Sequence, residues 1–549
     1  MAAVGEAPTL FLRKATGLVK GWSKFDAFLY SFMSVNFVTL GLFFSLAVLG
    51  YVPAGQVIPA ILVSGVFITF LVVTYAMLIS VMPRAGGDYV WQSRVLGGGI
   101  AFVLAVTGWW FILWYWTPIY ASILNVEVLQ PLAAIFKWGG LLTWLGTKNG
   151  IFVICIGTTF LAGYLVSLGM EGYAKVQKYC FYLGVAALAV VMIVMLFGSR
   201  AGFQSSFNSE SARLFGTSGD TYTATIKAAA GSIPPKISFS PFLGNSLLLI
   251  PFLCFWILWP NWGATLYGEV RGASDFKRVM SGMMYGLWVT VAIAVVFLLL
   301  ASKFFGWDFF NAGNVNFINY FYGYTTSNTI PVWTYPPLMV GFFFKNGLVE
   351  AIIILLFGAW FLGWAGTLFL SSTRVIFAAA FDRILPERVA DVSEKRHVPV
   401  WALILMLAPS LAVSAFYAYW LTFRTYVLDA VLVIAVTFFG TAIAAMVLPW
   451  RKKHLYENSA IAKYKVGGFP LITITGGLTA LFIGYNLYKW MWPPKNSASG
   501  NLYGVNDPKS LIFMGSMYVL ALVIYLVAKV YRKSQGIDLK AIYQEIPVE

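Results

Sequence analysis

Pro260-Asn261-Trp262-Gly263 stands inside an apolar run, Leu247 to Glu269, that is long enough to cross a bilayer. Proline removes a backbone donor and glycine weakens a helix, so the run is expected to break there. In hydrocarbon, freed backbone groups must be met by protein, water or a ligand. A helix broken at membrane depth therefore points to a cavity, where half-helix ends hold an ion or a charged solute. A kinked structural helix is the plainer alternative. A second interruption weighs against it: Ser34, Asn36, Thr39 and Gly41 fall at mid-depth in the first apolar run of the chain.

Other groups capable of chemistry are sparse. The two histidines, His397 and His454, lie in different polar segments, and Cys155, Cys180 and Cys254 have neither disulfide-framework nor metal-ligand spacing. No phosphate-cradling glycine loop occurs. An enzyme needs acid, base or metal groups that converge, and nothing here converges.

The elements that must carry the two interruptions are membrane helices. Of 549 residues, 60% are hydrophobic and 11% charged, against about 25% charged in a soluble domain. The net charge of +16 is spread in small clusters between apolar runs, a topology signal rather than a nucleic-acid face. No signal peptide is expected, because the first 24 residues have basic groups but no apolar core. No Asn-x-Ser/Thr sequon is present, in keeping with a prokaryotic source.

About twelve apolar segments of spanning length follow, among them 98–124, 279–302 and 347–373. With the N-terminus inside, 25 of the 37 Lys and Arg residues fall on the inner side, so both termini are expected in the cytoplasm. The interruptions lie in spans one and six, corresponding members of two five-helix halves. Five is odd, so the halves cross in opposite senses, as in inverted-repeat transporters. The expected layout is a cytoplasmic N-terminus (1–25), a first half (26–198), a long outer loop (199–245), a second half (246–450), two further spans (468–531) and a cytoplasmic tail (532–549). The outer segments 199–245 and 303–346 are long enough to hold short helices or lids.

Three motifs follow spans two, six and eight: Met82-Pro83-Arg84-Ala85-Gly86-Gly87-Asp88-Tyr89, Gly268-Glu269-Val270-Arg271, and Ser372-Thr373-Arg374 running on to Asp382 and Pro386. In order and placement they resemble the signatures of the amino acid–polyamine–organocation permeases, of the prokaryotic and archaeal amino acid permease type, over roughly residues 25–450. The resemblance implies an all-α, LeuT-type fold: a 5+5 inverted repeat with discontinuous helices one and six and the substrate between them. Arg84, Asp88, Glu269, Arg374 and Asp382 form a candidate cytoplasmic salt-bridge gate, read as exposed pairs contributing about 0–1 kcal/mol each.

The family's helix-one pattern matches at Asn36, Gly41 and Phe43, with Thr39 and Leu40 in place of its Gly and Ser. The resemblance thus places substrate against Asn36, Phe37, Thr39, Leu40 and Gly41, and against Phe255, Trp256, Ile257, Leu258, Trp259 and Asn261 of helix six. Trp259 replaces a family Gly and Asn261 a family Glu. The first change narrows the pocket and the second disfavours a cationic substrate. From the aromatic run of helix three, Trp110 and Trp114 are candidate substrate contacts.

The expected partners are an amino acid, small or neutral, and the lipid bilayer, with no nucleic acid and no cofactor. Coupling to Na+ or H+ and uncoupled exchange all stay open. Gly184 occupies the position where proton-coupled relatives carry a lysine, which makes it, with the hydroxyls of Thr367, Ser371 and Ser372, a candidate ion site. Glu127, Glu350 and Asp429 are the intramembrane carboxylates, each near an outer helix end. A polyamine or organic-cation permease is the alternative substrate reading. A solute sensor or scaffold of the same fold is the alternative role.

Overall fold

The computed structural model describes residues 18–52, 55–230, 245–493 and 502–544. Among these residues twelve helical stretches are long and apolar enough to span a membrane: one Lys24–Ser45, two Val57–Val81, three Gly98–Ile135, four Lys148–Ser167, five Gly169–Phe197, six Ser246–Glu269, seven Phe276–Phe321, eight Gly347–Phe381, nine Val400–Tyr419, ten Val427–Arg451, eleven Leu471–Met491 and twelve Pro508–Ser534. Spans one and two each pack on six and seven; five packs on eight, four on nine, and ten on eleven.

Spans one and six are both interrupted. Span one is α-helical over Lys24–Ser34, breaks at Val35 and Asn36, and resumes as a wider π-helical turn over Phe37–Ser45. Asn36 restarts it: its side-chain Oδ1 accepts from the Thr39 N–H at 3.0 Å, one of the donors a helix start leaves unpaired. Span six is α-helical over Ser246–Ile257 and returns as a tighter 3-10 helix over Trp262–Glu269. The break falls at Leu258–Asn261, slightly ahead of the expected Pro260–Gly263. Pro260 accounts for this, since its ring opposes the carbonyl four residues back and disfavours helical geometry in the residue before it. Ser31 Oγ donates to the Pro260 carbonyl at 2.8 Å and Ser45 Oγ to the Phe252 carbonyl at 2.7 Å, so the two broken helices are tied on both sides of their breaks.

Two expected boundaries shift. Span three does not end at 124 but winds through π-helical turns to Ile135. Asn125 and Glu127, which look like an interfacial end in sequence, are buried by neighbouring elements, and Asn125 Nδ2 donates to the Leu145 carbonyl at 2.9 Å. Span seven likewise runs beyond 302, turning at Gly306 (φ 83°) into Trp307–Phe321.

Much of the two outer segments is therefore helical: Arg200–Phe215, Thr221–Ala228, Trp307–Phe321 and Pro336–Phe343. These helices form one aromatic cap, with Tyr222 stacked on Phe309 at 4.5 Å. Arg213 pins the cap to span eight by donating to both oxygens of Glu350, at 3.0 and 3.1 Å, while also pairing with Glu210. Part of the predicted loop, 231–244, lies outside the described residues.

Candidate functional site

A cavity opens where the two breaks face spans three and eight. It is lined by Ser34 and Leu40 of span one, Trp116 and Tyr120 of span three, Trp259 and Trp262 of span six, and Trp364 and Thr367 of span eight. It is so narrow that only about one water would fit freely. Its walls are packed aromatic rings: Tyr120 stacks on Trp364 at 3.4 Å, Trp116 stacks on Phe255 at 5.2 Å, and Trp259 meets Trp262 edge-on at 5.3 Å. Trp259 is held upright by its own helix, its indole Nε1 donating to the Phe255 carbonyl at 2.7 Å. No lysine, arginine, aspartate or glutamate is among the described residues that line it.

Of the residues singled out from sequence, Leu40, Trp259 and Thr367 lie on this wall. Asn36 and Thr39 are buried beside it at the restart of span one, with Asn36 Nδ2 and Thr39 Oγ1 unpaired. Phe37, Gly41 and Trp256 form the seam between the broken helices. Phe37 meets Trp256 at 5.4 Å, and a Cβ on Gly41 would lie 2.9 Å from the Phe37 ring. Phe255 backs the wall through Trp116, and Ile257 and Leu258 are buried at the break.

Trp110 and Trp114 fall elsewhere. Trp110 Nε1 donates to the Leu405 carbonyl of span nine at 3.2 Å, and Trp114 packs beside it at 6.1 Å. At about 100° per residue the face carrying Trp110 and Trp114 is about 120° from that carrying Trp116 and Tyr120. The second pair faces the cavity. Ser34 and Trp262 were marked in sequence as members of the two interruptions but not as wall residues, whereas Tyr120 and Trp364 carried no signal of their own; the i,i+4 spacing of Trp116 and Tyr120 was the available clue.

Each of the four ion-site candidates is packed or hydrogen-bonded within the bundle. Gly184 is filled from across the helix pair, since a Cβ there would lie 2.6 Å from the Trp360 indole. The hydroxyls are engaged: Thr367 Oγ1 donates to the Trp364 carbonyl at 2.8 Å, Ser372 Oγ to the Phe369 carbonyl at 3.0 Å, and Ser371 Oγ to the Trp262 carbonyl at 2.9 Å. Tyr30 completes the corner, its hydroxyl 2.8 Å from Ser371 Oγ and 3.1 Å from the Thr367 carbonyl. Glycine at 184 thus serves close helix packing. Alanine there is expected to overpack the contact and cost about 1–3 kcal/mol, read as a lower unfolding midpoint that added sodium does not restore.

The candidate gate residues sit at the end of the bundle that carries the three motifs, and most are deeply buried rather than exposed. Arg374 binds Glu269 through two bonds, Nε to Oε1 at 2.7 Å and a terminal nitrogen to Oε2 at 3.0 Å, with side-chain exposures of 0% and 1%. Asp382 pairs with Arg94, a residue the motif reading passed over, at 2.5 and 2.8 Å, and also accepts from Tyr89 at 2.9 Å. Tyr543 lies over Arg94 at 5.7 Å and presses on Gly98, where a Cβ would overlap its ring. Arg84 donates to the Pro83 carbonyl at 3.2 Å. Among the described residues Asp88 joins no ion pair. It accepts from Tyr75 at 2.5 Å, Thr441 at 2.5 Å and Trp109 at 3.0 Å, and burial pushes its carboxyl up to about 6 against the pull of these donors. The sequence estimate of about 0–1 kcal/mol per pair therefore does not apply, because that range belongs to solvated pairs.

Twelve spans, two of them broken against each other around a small cavity, define a multi-pass membrane protein of secondary-transporter type. The chain belongs to the amino acid permease family, which matches residues 30–515, and so is a transporter rather than an enzyme. It is 21% identical over 428 residues to the branched-chain amino acid permease BcaP of Lactococcus lactis subsp. cremoris (strain MG1363), covering 76% of this chain and 79% of that relative.

Proposed function

We propose that the protein carries a neutral amino acid with a small or branched apolar side chain across the cytoplasmic membrane by alternating access. The observation that supports this best is the cavity itself: five aromatic rings and Leu40 for an apolar side chain, no charged residue in the lining, and two helix breaks for the charged backbone of the substrate. The restart of span one at Phe37 offers N–H groups to a carboxylate, and the end of the first half of span six at Ile257 offers carbonyls to an ammonium group. A polyamine would bring two or more cations to a lining without a carboxylate, at a steep desolvation cost. The printed substrate of the relative, branched-chain amino acids, agrees with this size and polarity.

In this reading the chain has the 5+5 inverted repeat with both termini in the cytoplasm, spans one, two, six and seven rocking against the others. The paired breaks five spans apart and the packing of spans one and two on spans six and seven support it. The test is a thermal-shift screen of detergent-purified protein against the twenty amino acids and several polyamines. A ligand at 100 times its Kd should stabilise by about 2.7 kcal/mol. Leucine, isoleucine, valine or alanine are the expected hits; a polyamine or a basic amino acid as the strongest would overturn the assignment.

A further inference from the structure

We propose that Asp88 is a proton-binding site whose occupancy is transmitted to the cavity through Trp109 and Trp262. The proposal rests on the reading of that cavity as the substrate site. Asp88 is completely buried, and all three of its side-chain donors are neutral. The charges on the surrounding elements are engaged with other groups. Arg94, on the same short helix Asp88–Val95, holds Asp382 of span eight; Arg374 of span eight holds Glu269 of span six; Arg451 of span ten donates to the Val95 carbonyl. The titratable neighbour in direct contact is Tyr75 of span two, which donates to Asp88. Among the described residues a carboxylate in that position has no cation to offset its burial, so protonation is the available way to neutralise it. Its elevated carboxyl value agrees with the geometry. Between about pH 4 and 6 the folded chain holds a proton that the unfolded chain has released, so stability falls as pH rises through that window.

The same carboxyl group is one side chain from the cavity wall. Trp109, which donates to Asp88 Oδ2, packs on Trp262 at 4.5 Å, and Trp262 lines the cavity and donates to the Thr367 carbonyl at 3.1 Å. Tyr75, on the other carboxylate oxygen, has Asn261 of the break in span six beside it. The loop carrying Asp88 is clamped to the second half of span six: the Gly86 N–H donates to the Thr265 carbonyl at 2.8 Å, and a Cβ on Gly87 (φ 42°) would stand 3.0 Å from the Ala264 backbone. When this loop lifts from span six, a hydronium ion gives its proton to an Asp88 oxygen lone pair and leaves as water. The resulting neutral acid is a weaker acceptor, so Trp109 is held less firmly and the Trp262 wall is freed to shift.

The test uses the full chain in detergent and begins without substrate, so that it stands apart from the substrate assignment. Intrinsic tryptophan fluorescence is expected to show a transition near pH 6 that Asp88→Asn abolishes. Thr441→Val keeps the acid but removes one donor to its charged form, and should move the midpoint up by about one pH unit. Leucine binding is then measured by calorimetry at pH 5 and pH 8, where at least a fivefold difference in affinity is expected in the unmodified protein. A transition that persists in Asp88→Asn, or a midpoint unmoved in Thr441→Val, overturns the proton site. Equal leucine affinity at the two pH values overturns the transmission. Absence of leucine binding at both pH values counts against the substrate reading instead, while the fluorescence titration still decides Asp88.

Discussion

Replacing Arg374 by alanine should destabilise the protein by about 3–5 kcal/mol, the largest loss expected from a single change at the motif end. The reason is what stays behind. Glu269 is 1% exposed and receives two bonds from Arg374; without its partner it is a buried carboxylate with its charge uncompensated. Replacing both partners with apolar groups of similar volume, Glu269→Leu with Arg374→Met, should recover most of the loss, because no charge is then stranded. Denaturant unfolding in detergent of the two single variants and the double measures the coupling. Additive losses would show that the pair is not an energetic unit and would remove it as a latch.

Trp259→Gly is expected to change which side chains the cavity accepts. Trp259 is buried, lines the cavity, and its indole is bonded only along its own helix, to the Phe255 carbonyl. Removing it withdraws one wall without stranding a partner from another span. Each methylene of pocket space is worth about 1–3 kcal/mol of discrimination, or 10–200-fold. The ratio of uptake efficiencies for phenylalanine over alanine, measured in proteoliposomes, should therefore rise at least tenfold. An unchanged ratio would mean that Trp259 does not bound the substrate side chain.

The membrane class, the number of spans and both interruptions were legible in the sequence because each rests on local chemistry: apolar length, a proline, a cluster of small polar residues. What the sequence concealed depended on facing. Trp110 and Trp116 read alike in an aromatic run, and only the winding of span three separates the one bonded to span nine from the one on the cavity wall. Asn125 and Glu127 look like a helix end until their burial is seen. Gly184 looks like an open position until Trp360, 176 residues away in sequence, is found against it. Arg94 was counted among the inner positive charges, and nothing local marks it as the partner of Asp382. The motifs marked the candidate gate residues, but the energetics of these residues followed from solvent access, which no motif encodes.

The position of Tyr543 carries a practical consequence. Its ring rests on Gly98, at the first turn of span three, and over the Arg94 that grips span eight. Any tilt of span three relative to span eight at that end must displace this aromatic ring. A fluorophore placed near Tyr543, far along the chain from either helix break, would convert a rearrangement of the bundle into an optical signal without a label in the cavity.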